Sequence, residues 1–542
     1  MARPSGLFGR WGTSSSFGTP SKVTDTETHA AARQQRGSIT SIVRSLILLT
    51  TVWLVSSGHV GSSLTVQEGA AGPYGLRVLV RPPGVIPGRV EVVVRTTTPR
   101  AVPTSVSVRP ALWRYGLKGA APAEPAVAVP GEPGTFSTSV WIMAAGSYAF
   151  HVQASGPAGE GTLVVPVTSV ATTASTLPKW MGWMLSALAA LLVLGFVSIA
   201  GAAAREGALR GGVEPQPADN RRGRRAMGIA VVLLGVMLTG GWKWWSAVDK
   251  DYRRRLDKPL AVETTVTGGD PRTLTLSVTD GGWTTRDPMG NVVQSGTPLM
   301  PDHGKIMHLF LVQAGAQGAV AHLHPTRSDL STFITPVAGI PAGTYWLFAE
   351  VVRESGYTAS MADTVEIPAG SSTPNADGDD AWTSAALIAS SAPATLGDEA
   401  KLSLSIDGTP AVARDVTIHA RVTNADGTEA RLWPWLGMAG HAMVVRTDGK
   451  VFMHVHPMGT SSMAAQERLL RREAGDTILH GDKQPMQMPM AGAPIASVAG
   501  DVNFPVAFPS AGSYRVFVQV RRVGGTIETA VTDVVVPAAP RN

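Results

Sequence analysis

Histidines recur in this chain as a spaced pattern. His308 is followed by His322-Leu323-His324-Pro325, and His441 by His454-Val455-His456-Pro457, about 130 residues further on. Seven of the twelve histidines lie in the windows 303–324 and 441–456, so the pattern is concentrated rather than scattered. Imidazole is the commonest protein ligand for transition metals. Metal binding is therefore the chemistry this spacing points to.

The second copy fixes its own geometry. Asp448-Gly449 between apolar alternations is a strong two-residue hairpin signal. Pairing outward from that turn sets Met443 opposite His454 and His441 opposite His456. Alternate residues of a strand, and residues directly opposed across a ladder, share one face. His441, Met443, His454 and His456 then project together, with cross-strand neighbours roughly 5 Å apart. Ala442, Val444, Val451, Met453 and Val455 take the other face, which reads as the core side. The first copy has a loop one residue longer, Gly315-Ala316-Gln317. A three-residue turn there sets His308 opposite His324 and Phe310 opposite His322, with Leu309, Leu311, Ala321 and Leu323 on the core side. The expectation is two separate ligand sets, His441, Met443, His454 and His456 in one, and His308, His322 and His324 in the other. His303 is a candidate fourth ligand from the loop before the first set.

Ligand softness favours copper, with zinc as the alternative. Imidazole suits both, and thioether selects copper(I). The chain has 18 methionines and no cysteine. Met486, Met488 and Met490 alternate in a proline-limited run, an arrangement similar to the Met motifs of exported copper proteins. His480 lies close to that run. No acidic ligand stands out in either cluster, which argues against calcium or magnesium.

The elements that position these residues read as β modules on a membrane anchor. At 542 residues the chain exceeds one core, and its 59 glycines and 39 prolines punctuate short Val/Thr-rich runs. A polar extension at 1–44, expected to be disordered, precedes an apolar stretch at 45–58 that reads as a signal peptide or signal anchor. A cut after Gly58 would make His59 a new N-terminus whose amine and ring together chelate copper. Apolar runs at 179–204 and 226–247 are each long enough to span a bilayer. The stretch between them, 205–225, is arginine-rich and reads as a cytoplasmic loop. Trp180, Trp183, Trp242, Trp244 and Trp245 mark the opposite membrane interface. The fold class expected is mostly β: three immunoglobulin-like sandwiches at 64–170, 260–368 and 381–538, plus a two-helix transmembrane hairpin. A polar linker, 369–380, separates the last two sandwiches. Ala145-Gly146-Ser147-Tyr148, Ala342-Gly343-Thr344-Tyr345 and Ala511-Gly512-Ser513-Tyr514 repeat one turn-and-strand signal, one per module. From His-Pro to that tyrosine the third module is 37 residues longer than the second, and the Met-rich run falls in the insertion.

Module one, from Tyr74-Gly75-Leu76-Arg77 to Gly146-Ser147-Tyr148, resembles the YtkA-like and CopC-like exported β-sandwiches. The C-terminal pattern Leu432-Trp433-Pro434-Trp435-Leu436-Gly437-Met438-Ala439-Gly440-His441, followed by His454-Val455-His456-Pro457, is similar to sequences of secreted bacterial metal-binding proteins. These resemblances imply metal handling at the bacterial cytoplasmic membrane, with the β modules on the periplasmic side. The function expected is copper binding, delivery or resistance, with a copper-transporting or cuproenzyme-assembly partner. The alternatives are a non-metal envelope scaffold and a copper redox enzyme. No nucleophile–base motif or cofactor loop supports an enzymatic reading. The net charge of +6 is modest and flanks apolar segments, so no nucleic-acid surface is expected.

Overall fold

The computed structural model describes residues 64–538, except 270, 316–317, 371–376, 390–391 and 484–496. His59, the signal-like stretch 45–58, and Met486, Met488 and Met490 lie outside the described residues. The described chain is mostly β, with three α-helices, two of them long and apolar.

In the first module, alternation dictates which faces are buried. Tyr74–Arg81 buries Tyr74, Leu76, Val78 and Val80, and Gly88–Thr96 buries Val90, Val92 and Val94. Eight strands between Thr65 and Ser169 form one hydrogen-bonded path. Its two ends fold over a single core, where Val78, Val92 and Phe136 meet Val108, Phe150 and Val165.

Helix α1 (Lys179–Glu206) and helix α2 (Pro217–Arg254) are long and apolar enough to cross a membrane. The connection between them is shorter than the 205–225 stretch expected as a loop. Pro217 at the first turn and a reciprocal cap between Gln216 and Asp219 start α2 early. Arg221, Arg222, Arg224 and Arg225 are therefore helical. Where the helices meet, Gly201 and Gly223 keep the backbones close, and Arg222 Nε donates to the Ala204 carbonyl at 2.6 Å.

The second and third modules are built alike. In the second, a four-stranded sheet and a six-stranded sheet share a core that includes Leu276, Phe333, Leu309, Leu323 and Leu347. In the third, a four-stranded and a seven-stranded sheet enclose Ile418, Phe504, Val444, Val455 and Val516. The repeated turn tyrosines have one job. Tyr148, Tyr345 and Tyr514 each donate a hydroxyl hydrogen bond to the carbonyl four residues upstream. One boundary differs from the sequence reading. Ala381–Thr383, expected to open the third module, pairs with Val320–Leu323 and extends the second module's sheet. Main-chain bonds thus join the chain directly after Asp380 to the second module.

The insertion after His456 ties the modules together. Thr65–Ala71, an edge strand of the first module, lies along it: Glu68 N–H donates to the Met458 carbonyl at 2.7 Å, and Thr460 N–H to Val66 at 2.9 Å. The insertion continues into helix α3 (Met463–Glu473), capped by Ser462 Oγ accepting from Ala465 N–H at 3.1 Å. Arg468 of α3 pairs with Glu354 of the second module at 3.1 Å, both fully buried. Its guanidinium lies 5.2 Å over the Trp113 ring of the first.

Gly459 is the tightest point of this contact. Its φ is +124°, and a Cβ there would lie 2.0 Å from the Val66 carbonyl oxygen. Gly459→Ala is expected to release the first module's edge strand, at a cost of about 1–3 kcal/mol from backbone strain alone. Limited proteolysis of the detergent-solubilised chain should then cut near 457–461 faster than in the unaltered protein.

Candidate metal centre

Both histidine hairpins have the expected register. Phe310 faces His322, and Met443 faces His454. Leu309, Leu311, Ala321 and Leu323 point into the second module's core, and Ala442, Val444, Met453 and Val455 into the third's. The histidine faces therefore look outward from their own modules, and they look at each other. The two sheets pack face to face on Phe310, Val312, Phe348, Met443, Val445, Phe452 and Phe517. Phe348 and Phe452 stack at 4.5 Å, with 13° between their planes.

The seven histidines sit in the same seam. His303, His308, His322, His324, His441, His454 and His456 are all buried, with none more than 7% exposed. Their rings form a continuous contact network, for example His303–His456 at 5.0 Å, His308–His454 at 5.3 Å and His322–His441 at 5.6 Å. Two separate ligand sets were expected from the sequence; the structure buries both in one seam shared by two modules. The physical reason is that each histidine face also carries apolar side chains, which must be covered. Trp435 closes one wall, 4.8 Å from His441 and 5.1 Å from His322.

His303 enters from a tight turn with φ +53°. Leu436 takes the same place in the third module, at φ +51° before its own glycine. The repeat thus extends to the turn, but only one copy carries an imidazole there.

Hydrogen bonds assign several protons. His308 Nε2–H donates to the Asp302 carbonyl at 3.1 Å, so neutral His308 has a bare Nδ1, which accepts from His322 Nε2–H at 3.1 Å. His324 Nδ1 donates to Asp380 at 3.0 Å, and His456 Nδ1 to the Ser461 carbonyl at 3.3 Å. Their Nε2 atoms are buried without a partner, as are His303 Nε2, His322 Nδ1, His454 Nε2 and both ring nitrogens of His441. An imidazole whose outer N–H is held by a carbonyl or carboxylate, and whose inner nitrogen is bare, is oriented as a metal ligand is.

Burial sets the charge states. Desolvation depresses His308 to about 4 and His456 to about 3, and holds His322, His324, His441 and His454 well below the usual imidazole range. At neutral pH these six are uncharged and can donate a lone pair. Glu350, 3.6 Å from His454 Nδ1, is raised to about 7 by burial and by Asp302. Burial also opposes ionisation of Asp302, but His303, His308 and His456 outweigh it and hold it low.

The ligand atoms converge in two sets of three. His308, His322 and His324 form one, and His303, His441 and His456 the other, with the atoms of each set within 4.8 Å of one another. The second set crosses the modules. A third grouping, His324 with Asp377 and Asp380, is already engaged: Lys305 holds Asp377 at 2.7 Å, and Asp380 accepts from His324. Met443 lies in the apolar half of the seam, and His454 between the two sets. His480 lies apart, bonded to Asp476 at 3.1 Å.

Sequence reasoning missed Asp302, Glu350, Asp380 and Trp435. Asp380 reaches His324 only because Ala381–Thr383 pairs with the second hairpin strand. One signal was available: Phe310, Val445 and Phe452 share the histidine faces, and that composition is unfit for solvent.

Residues 394–538 match a family described as a domain of unknown function (DUF8832). No curated protein matches the chain. Among solved structures, a tetra-tandem repeat in the extending region of a large adhesion protein aligns over 88% of this chain and 75% of its own, at 9% identity and TM-score 0.14. Dimeric latent PorU from Porphyromonas gingivalis aligns over 88% and 34%, again at 9% identity and TM-score 0.14. A membrane-anchored protein from Corynebacterium diphtheriae aligns over 88% and 96%, at 9% identity and TM-score 0.13.

The charge states have a measurable consequence. A histidine whose folded pKa is depressed binds fewer protons folded than unfolded, so its contribution is complete above about 6.5 and is lost as pH falls. Each of the six contributes a slope of up to about 1.4 kcal/mol per pH unit below that point. Glu350 acts oppositely, since its raised pKa favours the folded state as pH falls from about 7, but it is one group against six. The chelator-treated protein should therefore lose thermal stability progressively from pH 7 to pH 5. A flat profile would show that the imidazoles are not held neutral.

Proposed function

We propose that this chain is a membrane-anchored, metal-binding protein that retains a transition metal between two β modules, copper being the first ion to test and zinc the second. One observation carries the reading: seven buried imidazole nitrogens on six different histidines of the seam have no hydrogen-bond partner, and of these rings His324 and His456 are fixed from behind by hydrogen bonds while His454 lies near Glu350. Leaving buried polar atoms unmatched costs roughly 1–3 kcal/mol each. A metal ion removes that cost at several nitrogens together.

The spacing suits an ion. Ligand nitrogens around a tetrahedral ion with bonds of ~2.0–2.1 Å lie about 3.3 Å apart. His308 Nδ1 and His322 Nε2 are 3.1 Å apart, near that spacing, and both would be free to hold an ion once the proton between them had moved to the partnerless His322 Nδ1. The carboxylates of Asp302 and Asp380 would offset its charge, and the neutral rings add none. The all-imidazole sets suit copper and zinc alike; copper is favoured by the cysteine-free and methionine-rich composition and by the resemblance of the first module to CopC-like sandwiches.

We read the β units as immunoglobulin-like sandwiches and α1–α2 as a transmembrane hairpin. With the 45–58 stretch acting as an export signal or anchor, the modules would face the extracytoplasmic side of a bacterial cytoplasmic membrane. Burial favours holding the ion over rapid exchange at a surface, so transfer to a partner would require the seam to open.

Metal should raise the melting temperature of the solubilised chain. At free ion about 100 times the Kd, the stabilisation is about 2.7 kcal/mol. Replacing His324 and His456 together by alanine should remove most of that gain while leaving the far-ultraviolet circular dichroism unchanged. Identical melting with chelator, copper and zinc would overturn the proposal.

A further inference from the structure

We infer that the seam holds two metal ions at once, one in each histidine triad, with His454 between them. This rests on the metal-binding reading above and adds the stoichiometry and the identity of each half-site. Seven imidazoles are more than one four-coordinate ion accepts. They also divide without overlap: His308, His322 and His324 converge on one point, and His303, His441 and His456 on another. Three imidazoles with one open position is the composition of an open transition-metal site.

The two points lie in one seam of touching rings. Across the boundary the rings of His303 and His308 are 6.0 Å apart, and those of His322 and His441 5.6 Å. His454 belongs to neither triad, yet adjoins both. Its ring lies 5.3 Å from His308, 5.4 Å from His322, 5.4 Å from His441 and 4.3 Å from His456. Its Nε2 is buried without a partner. It is placed to complete either half-site.

The half-sites are not equivalent, although the hairpins are. The first draws all three imidazoles from the second module. The other draws His441 and His456 from the third module and His303 from the second, because Leu436 stands where the third module's own turn histidine would be. An ion in the second half-site therefore bridges the modules, while one in the first does not.

The test uses the full chain in detergent, loaded with copper or zinc and freed of loosely bound ions. Metal analysis and native mass spectrometry should give two ions per chain. His322→Ala/His324→Ala and His441→Ala/His456→Ala should each retain one, with folding checked by near-ultraviolet circular dichroism. The copper(II)-loaded protein should show a magnetically coupled or diminished electron paramagnetic resonance signal, and each double variant an isolated single-ion spectrum. One ion per chain in the unaltered protein, lost in both variants, would overturn the two-ion inference and keep the metal reading. No retained ion would overturn both. Two ions with uncoupled spectra, insensitive to these histidines, would place them elsewhere and likewise overturn the inference.

Discussion

Everything at the centre depends on keeping imidazoles uncharged in a seam from which water is excluded. A charged ring there would need a partner within a few ångströms, and seven rings in mutual contact cannot all be given one. The chain meets the constraint by taking one proton-bearing nitrogen of several rings outward, to the Asp302 carbonyl, the Ser461 carbonyl and the Asp380 carboxylate. The inward nitrogens keep their lone pairs. A cluster of this kind is unfavourable as packing, and its burial is sustained by the apolar half of the same seam, where the Phe348–Phe452 stack and Phe310, Val445 and Phe517 exclude water.

The remaining architecture secures that seam from outside. The loop leaving His456 carries Ser461, which orients the imidazole, and then begins α3, whose Ala464 N–H donates to Asp302 at 3.1 Å. The same few residues accept the first module's edge strand. Arg468 and Glu354, buried together, bind α3 to the second module. Breaking one member of such a pair leaves an uncompensated buried charge, so the pair specifies where α3 sits more than it adds net stability. The insertion thus links the first module to the backs of the candidate ligands.

Local structure was legible in the sequence to the level of individual residue pairs. Asp448-Gly449 set the register that places Met443 across from His454, and a three-residue turn did the same for Phe310 and His322. Period-two alternation then identified both core faces. What could not be read was what each outward face meets, because sheet-on-sheet packing leaves no fixed spacing in sequence. The composition of those faces held a partial answer: a histidine face that also bears phenylalanine and valine is not a solvent face. His303 was visible as a neighbour but not as a cross-module ligand, since its reach depends on a left-handed turn. Asp380 lay in a stretch that composition marks as linker, and only main-chain pairing of Ala381–Thr383 brings it to His324. The early start of α2 was written in Pro217 and Asp219, though hydropathy drew attention further in.

Burial also alters what a duplicated motif means. Two exposed His-x-His hairpins would be two independent sites, each open to partners and each tuned by its own neighbours. Face to face, they share a wall and a buried environment, so the two sets do not have independent surroundings. The third module's lack of a turn histidine then becomes informative. With Leu436 in that position, the third module alone presents an incomplete set, and His303 from the second completes it. Ligation at that set is inseparable from docking of the two modules, which couples any bound ion to their association free energy. Under the proposed metal-binding reading, the clasping insertion and the cross-module His303 would act in one direction, toward holding an ion in place.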